Sequence, residues 1–268
     1  MIKAAIFDWA GTTVDFGSRA PMAAFVHLFK MHQIDVTIDE ARIPMGTNKW
    51  DHINALLKMP RIAKQWQDLH GRGHVKEDVD QLLQEFIPMN KLSIVECSRL
   101  IPGVPEVMSA LKYEGIRIAS TTGYTRELMD ILMPLAANQG YQPEFVVCAG
   151  ETSEGRPSSQ MMDKCSQILG ISNPITFIKV DDTLPGIDEG KNFGCWTVGV
   201  ALSGNALGFS ENELLDLSPE NRIDFENKAR KNIEEMKPDF VIDSIADLIP
   251  VIQKINLKIS QGEKPNSY

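Results

Sequence analysis

Asp8 closes a short apolar run, Ala4-Ala5-Ile6-Phe7, and opens a turn rich in glycine and threonine, Gly11-Thr12-Thr13. The amides and hydroxyls of that turn can donate hydrogen bonds to an anion, so a phosphoryl group can sit against them. Two later apolar runs end in the same manner. Ile116 to Ala119 leads into Ser120-Thr121-Thr122, and Ile175 to Val180 leads into Asp181-Asp182. Carboxylates brought together repel one another and hold their protons more tightly unless a cation intervenes. Hard oxygen ligands beside a phosphoryl substrate suit Mg²⁺. Arg156, within Gly155-Arg156-Pro157, offers a fixed positive charge for a phosphoryl oxygen. Each group also has a plainer use: Asp8 as a helix N-cap, Asp181-Asp182 as turn residues ahead of Pro185-Gly186, and Arg156 as a solvated loop cation. What favours chemistry is their combination at three segment ends.

A different chemistry is available at Met45-Gly46-Thr47-Asn48-Lys49-Trp50-Asp51-His52. The pattern places Lys49 in the first turn of a helix, and His52, three residues on, shares its face. A lysine removed from water, or facing another cation, gives up its proton and becomes an amine nucleophile for aldehydes. Against this, most lysines lie along a surface with the charge in water, and a lone histidine is more often structural. His70 and His74 have the spacing of a helical metal site, but Gly71 and Gly73 oppose a helix there, so both read as loop residues.

The elements that must position these groups follow from the pattern. The three segment ends read as strands, and further strands are expected at Phe145–Cys148, Cys195–Val200 and Phe240–Ile242. Helices are expected between them, at Val104–Tyr113, from Arg126, at Gln160–Leu169 and from Ile245 to Ile255. Alternation of this kind means an α/β fold with a doubly wound, parallel, Rossmann-like sheet. No strand signal appears between residues 18 and 98, where helices are expected at Pro21–His32, Asn48–Leu57, Ile62–Leu69 and Glu77–Cys97, the last broken or kinked at Pro88. Residues 1–17 and 99–260 thus form a core domain, 18–98 an inserted all-helical cap over the carboxyl edge, and 261–268 a frayed polar tail.

Composition sets the limits. The chain has 268 residues, 43% of them hydrophobic, enough for one core and a smaller second one. A net charge of −9 argues against nucleic acid and anionic membrane as partners. Four cysteines without CxxC spacing read as reduced core residues of a cytoplasmic protein, and no apolar run approaches a membrane span.

The strand-end aspartate, the Thr122 segment, Arg156 and the late acidic pair together resemble the haloacid dehalogenase superfamily over essentially the whole chain. Its phosphatases carry a second aspartate two residues after the nucleophile, as acid for an oxygen leaving group; here that position is Ala10. Loss of such an acid is worth about 10²–10⁴ in rate. Within the superfamily, Asp-Trp-Ala-Gly-Thr-Thr-Val-Asp at 8–15, Met-Gly-x-x-Lys-x-Asp-His at 45–52 and Ser-Thr-Thr-Gly-Tyr-Thr at 120–125 are similar to the phosphonoacetaldehyde hydrolase family, as are Gly-Arg-Pro at 155–157 and Trp-Thr-Val-Gly-Val at 196–200.

That resemblance implies cleavage of the C–P bond of phosphonoacetaldehyde to acetaldehyde and phosphate, a step in 2-aminoethylphosphonate degradation. It implies Asp8 as nucleophile and Lys49 as the Schiff-base residue, with His52 and Tyr124 assisting proton transfer and Met45 packing by the imine. Thr12, Gly46, Thr122, Gly123 and Arg156 would bind substrate. Mg²⁺ would be held by Asp8, the Ala10 carbonyl and Asp182, with Asp181 an alternative ligand. It further implies a homodimer through cap helices. One motif departs from the family: some members read Gly-Asp-x-x-x-Asp where this chain has Asp181-Asp182 and, later, Gly186. The competing readings are a phosphatase or mutase acting on a phosphate ester, which Ala10 opposes, and a non-catalytic relative, which the retained Asp8, Lys49, Arg156 and Asp182 oppose.

Overall fold

Four consecutive buried apolar residues form β1 (Ala4–Phe7). Five helices follow it in this computed structural model, which describes residues 1–266: α1 (Ala20–Met31), α2 (Ile38–Arg42), α3 (Lys49–Lys58), α4 (Pro60–His70) and α5 (Lys76–Glu96). Helices and strands then alternate through α6 (Val104–Tyr113), β2 (Arg117–Thr125), α7 (Arg126–Ala137), β3 (Val146–Ala149), α8 (Gln160–Leu169), β4 (Phe177–Asp181), α9 (Leu184–Phe193) and β5 (Trp196–Val200). After α10 (Glu211–Leu215) and α11 (Pro219–Glu235) come β6 (Phe240–Ile242) and α12 (Leu248–Ser260).

The six strands form one parallel sheet in the order β3-β2-β1-β4-β5-β6, the expected doubly wound class. The chain winds outward on one side of β1, then returns to lay β4 on the other side. Ligands of open α/β sheets bind outside the carboxyl ends at such a reversal. Register makes this concrete: Phe7 lies opposite both Ser120 and Val180, so Asp8, Thr121-Thr122 and Asp181-Asp182 emerge on one rim. β2 runs further than its apolar run, and its pairing with β3 shifts between Thr122 and Thr125. That irregularity turns Gly123 and Tyr124 toward the site.

Helices α1, α3, α4 and α5 bury Phe25, Leu28, Ile53, Leu56, Trp66 and Phe86 in a cluster of their own, separate from the cluster that lines the sheet. The Asp15 carboxylate accepts from the amides of Arg19 and Ala20 (3.0 and 2.9 Å), anchoring the start of α1. Asn48 caps α3, its side-chain oxygen accepting from the Asp51 amide at 2.9 Å, which sets Lys49 as the first helical residue.

At three points the helices differ from or add to those expected. α5 is continuous through Pro88; the missing N–H removes one ladder bond, and packing against α1 and α3 holds the helix together. His70 is the last residue of α4, whose end is set at Gly71 with φ 68°, and only His74 lies in the loop. α11 carries no apolar period to betray it, because only Ala229 and Ile233 of its 17 residues are buried. The polar tail is described as far as Asn266, whose amide donates to Asp239 at 2.7 Å; Ser267 and Tyr268 lie outside the described residues. No described helix is long and apolar enough to cross a membrane.

Candidate active site

Asp8 and Arg156 meet at the rim, Oδ1 to Nη2 at 2.9 Å, both almost fully buried. Arg156 is held from behind. Its Nε donates to Glu189 Oε2 at 3.1 Å, and Nη2 donates to the Thr121 carbonyl at 2.6 Å. Its Nη1 lies 3.3 Å from Asp181 Oδ2 without hydrogen-bond geometry. A second buried cation, Lys179, donates to the Thr121 hydroxyl at 2.6 Å and pairs with Asp181 (3.1 Å) and Glu189 (3.0 Å). Burial works against the charge on Arg156, but Asp8, Asp181 and Glu189 outweigh it and keep the guanidinium protonated. Sequence reasoning found Arg156 and missed Lys179, Glu189 and Thr121. One signal was there: Lys179 is a charge set between the apolar Ile178 and Val180 of β4.

Asp8, Asp181 and Asp182 bring carboxylate oxygens within 4.8 Å of one another, a set that could hold a metal ion. The three are not equivalent. Burial would raise Asp181, but Arg156, Lys179 and the Thr183 hydroxyl hold it below the ordinary carboxylate value. Asp182 accepts from the Thr12 hydroxyl (3.0 Å) and the Asn205 amide (2.7 Å), and among the described residues no lysine or arginine pairs with it. Burial, then the charges of Asp8 and Asp181, push Asp182 well above its ordinary value; burial and Asp181 push Asp8 up to about 6. Asp8 has Arg156 as counter-ion and Asp182 has no cation, so the two buried carboxylates together carry negative charge in excess, which a divalent cation would neutralise. Space agrees with this: a Cβ at Gly11 would overlap the Asp182 carboxylate.

The cap supplies the opposite wall. Lys49 is 5% exposed, with Nζ 5.0 Å from the Tyr124 ring centroid and 5.7 Å from that of Phe25. Burial lowers its pKa to about 8, against the opposing pull of Asp8 and with help from Arg156. A cavity of about 20 Å³ is lined by Asp8, Ala10, Met45, Gly46, Lys49, Thr122, Gly123, Tyr124 and Arg156. Nine of the candidate residues thus share one space. The Thr122 hydroxyl accepts from the Tyr124 amide at 3.1 Å, leaving its own proton to donate.

The other candidates stand outside that space. His52 is wholly buried, its ring stacked on Phe25 at 3.9 Å and its Nε2 against the Ala41 carbonyl at 2.9 Å. Burial and the nearby Lys49 charge hold it well below the usual imidazole value, so it is neutral. The Thr12 hydroxyl is committed to Asp182, and Asp181 and Asp182 are fully buried and do not line the cavity.

Comparison with known proteins agrees with this arrangement. The model of the haloacid dehalogenase-like hydrolase family matches residues 2–194. A phosphonoacetaldehyde hydrolase from Paraburkholderia phytofirmans is 47% identical over 264 residues, covering 98% of this chain and 99% of that protein. The chain belongs to the phosphonoacetaldehyde hydrolase family. A solved relative, described as a phosphonoacetaldehyde hydrolase-like protein from Oleispira antarctica, superposes with a TM-score of 0.96 at 41% identity, over 98% of this chain and 96% of that one. A β-phosphoglucomutase from Clostridium difficile, 19% identical with a TM-score of 0.70, shares the fold.

Asp181 and Gly186, where some members were expected to read Gly-Asp-x-x-x-Asp, are neighbours in space. A Cβ on Gly186 would overlap the Asp181 carboxylate, so a side chain at 186 and the one at 181 compete for the same volume.

Proposed function

We propose that this chain hydrolyses the C–P bond of phosphonoacetaldehyde to acetaldehyde and phosphate, as part of phosphonate degradation in the cytoplasm. The observation that carries the reading is Lys49 on the cap and Asp8 on the core lining one cavity, with Ala10 where a phosphatase would place its acid. Asp8, Asp182 and the Ala10 carbonyl would hold Mg²⁺, which would neutralise the carboxylates and polarise the phosphoryl oxygens. Asp181 is committed to Arg156, Lys179 and Thr183, so Asp182 is the better ligand of the pair.

The residues then account for each bond. The Lys49 amine adds to the aldehyde carbonyl and water leaves, giving a protonated imine. Asp8 attacks phosphorus in line, the P–C electron pair moves into the imine, and an enamine and an aspartyl phosphate result. Water hydrolyses the acyl phosphate to regenerate Asp8. Protonation of the enamine carbon and hydrolysis of the imine release acetaldehyde and free Lys49. No alkoxide forms, so no acid is needed at position 10. Arg156, Thr122 and the Gly123 and Gly46 backbone suit the phosphoryl oxygens. The Tyr124 hydroxyl serves proton transfer at the imine and Met45 packs beside it, while His52 acts from behind Phe25 as a neutral support of Lys49.

Exposed Met31, Ile38 and Ile43 on the cap support a homodimer through its helices, to be checked by sedimentation. The mechanism is tested by borohydride reduction with phosphonoacetaldehyde and peptide mapping. The expected result is an adduct on Lys49 in the parent and in Asp8→Ala, with phosphate release only in the parent. Phosphate release that survives Lys49→Arg would sink the mechanism.

A further inference from the structure

The segment between α2 and α3, residues 43–48, is the part of the cap that carries Met45 and Gly46 into the cavity, with Lys49 next in the chain. Both of its flanks press on the core. Near its far end the Thr47 carbonyl lies against Gly123, where a Cβ would come within 2.8 Å of it. At its near end Arg42 forks onto a core loop, Nη1 donating to the Asn205 carbonyl at 2.7 Å and Nη2 to the Gly208 carbonyl at 2.9 Å. Gly208 has φ +73°, and a Cβ there would overlap the guanidinium. Asn205 returns the contact, its side-chain amide donating to the Arg42 carbonyl at 3.4 Å. The backbone amide of that same Asn205 donates to Asp182 Oδ2. One loop residue is therefore tied to the cap through Arg42 and to the carboxylate cluster through its own N–H.

We propose that Arg42 is a positioning residue for the reaction: its fork registers segment 43–48, and with it Lys49, over Asp8, and braces the loop that orients Asp182. The inference rests on reading Lys49 as the imine-forming lysine. A planar guanidinium that meets two carbonyls fixes direction as well as distance, which a single ammonium contact does not. The requirement for registration is strict because the two reacting groups belong to different bodies. Misplacement by about 1 Å costs on the order of 10²-fold in rate.

The test compares the parent with Arg42→Ala, Arg42→Lys, Gly208→Ala and the Arg42→Ala/Gly208→Ala double variant. Phosphate release from phosphonoacetaldehyde with Mg²⁺ is measured beside borohydride trapping of Lys49 at saturating aldehyde. Arg42→Ala is expected to lower kcat about 10²-fold while the Lys49 adduct still forms in full yield. Arg42→Lys falls between Arg42→Ala and the parent, because one of two contacts survives. Gly208→Ala reproduces the loss from the core side, and the double variant loses no more than the worse single, since both remove one interaction. An unchanged kcat in Arg42→Ala overturns the proposal, as does loss of the Lys49 adduct in step with kcat, which would make Arg42 a general support of the cap. If the parent itself yields no adduct, the reading of Lys49 fails, and the role of Arg42 fails with it.

Discussion

Burial favours the free amine of Lys49. Its pKa, brought down to about 8 from 10.5, leaves roughly one amine in ten free at pH 7, against fewer than about one in a thousand for an ordinary lysine. Only the free amine adds to an aldehyde, so the initial rate of borohydride-trapped adduct should rise with pH through about 8 and then level. A profile still climbing steeply well above that midpoint would show an unperturbed amine. Asp8 is the charge that pulls this pKa upward, so Asp8→Asn should move the midpoint down, a shift readable by trapping even without turnover. Lys179 is a residue of another kind, fully buried and outside the lining of the site cavity. Lys179→Met leaves Asp181 and Glu189 to Arg156 alone, at an expected cost of about 3–5 kcal/mol in denaturant unfolding. Adding Glu189→Gln should recover part of that loss, because the second change removes the charge left unpaired.

The turn from β4 into α9 shows why position in space, not order in the chain, decides a motif. A carboxylate at 181 fills the volume that a side chain at 186 would need. Gly186→Asp alone should therefore crowd two carboxylates together and lower the melting temperature. Asp181→Gly alone strips a partner from Lys179 and Arg156. The exchange Asp181→Gly/Gly186→Asp should release more phosphate than either single variant; a double variant worse than both would refute the shared-volume account. Such competition could not be seen in the sequence, which shows only Asp181 and Gly186 where some members were expected to carry glycine and aspartate. What the sequence did carry were the elements that bury an apolar face: β1, α8 and β6 follow their apolar patterns closely, and the strand ends that bear Asp8, Thr122 and Asp181 followed from them. Elements stabilised by few buried side chains, such as α11, left no such trace. The same holds for partners that come from distant loops: nothing near Asn205 indicates that its amide meets Asp182.

For the whole molecule, the carboxylate cluster is expected to make stability depend on metal and on pH together. Asp8 and Asp15 both have folded pKa values raised to about 6, above the unfolded value of 3.8. The folded state thus binds protons more tightly, so these groups favour folding at low pH, and that contribution is lost as pH rises from about 4 through about 6. Metal-free parent should consequently gain more, or lose less, in melting temperature between pH 7.5 and pH 5.5 than Asp15→Asn, a comparison in which the opposing protonation of buried, neutral His52 cancels. Mg²⁺ should abolish the share owed to Asp8 and leave the share owed to Asp15, whose carboxylate is bonded to the start of α1. At neutral pH, a cation present at about 100 times its Kd stabilises by about 2.7 kcal/mol, or roughly 5–10 °C for a chain of this size. EDTA should reverse the shift. Asp182→Asn removes one of the mutually repelling charges while retaining an oxygen to accept from Thr12 or Asn205. That variant should melt higher than the metal-free parent and show no response to Mg²⁺. A variant that still gained the full shift would place the ion elsewhere than at Asp8 and Asp182.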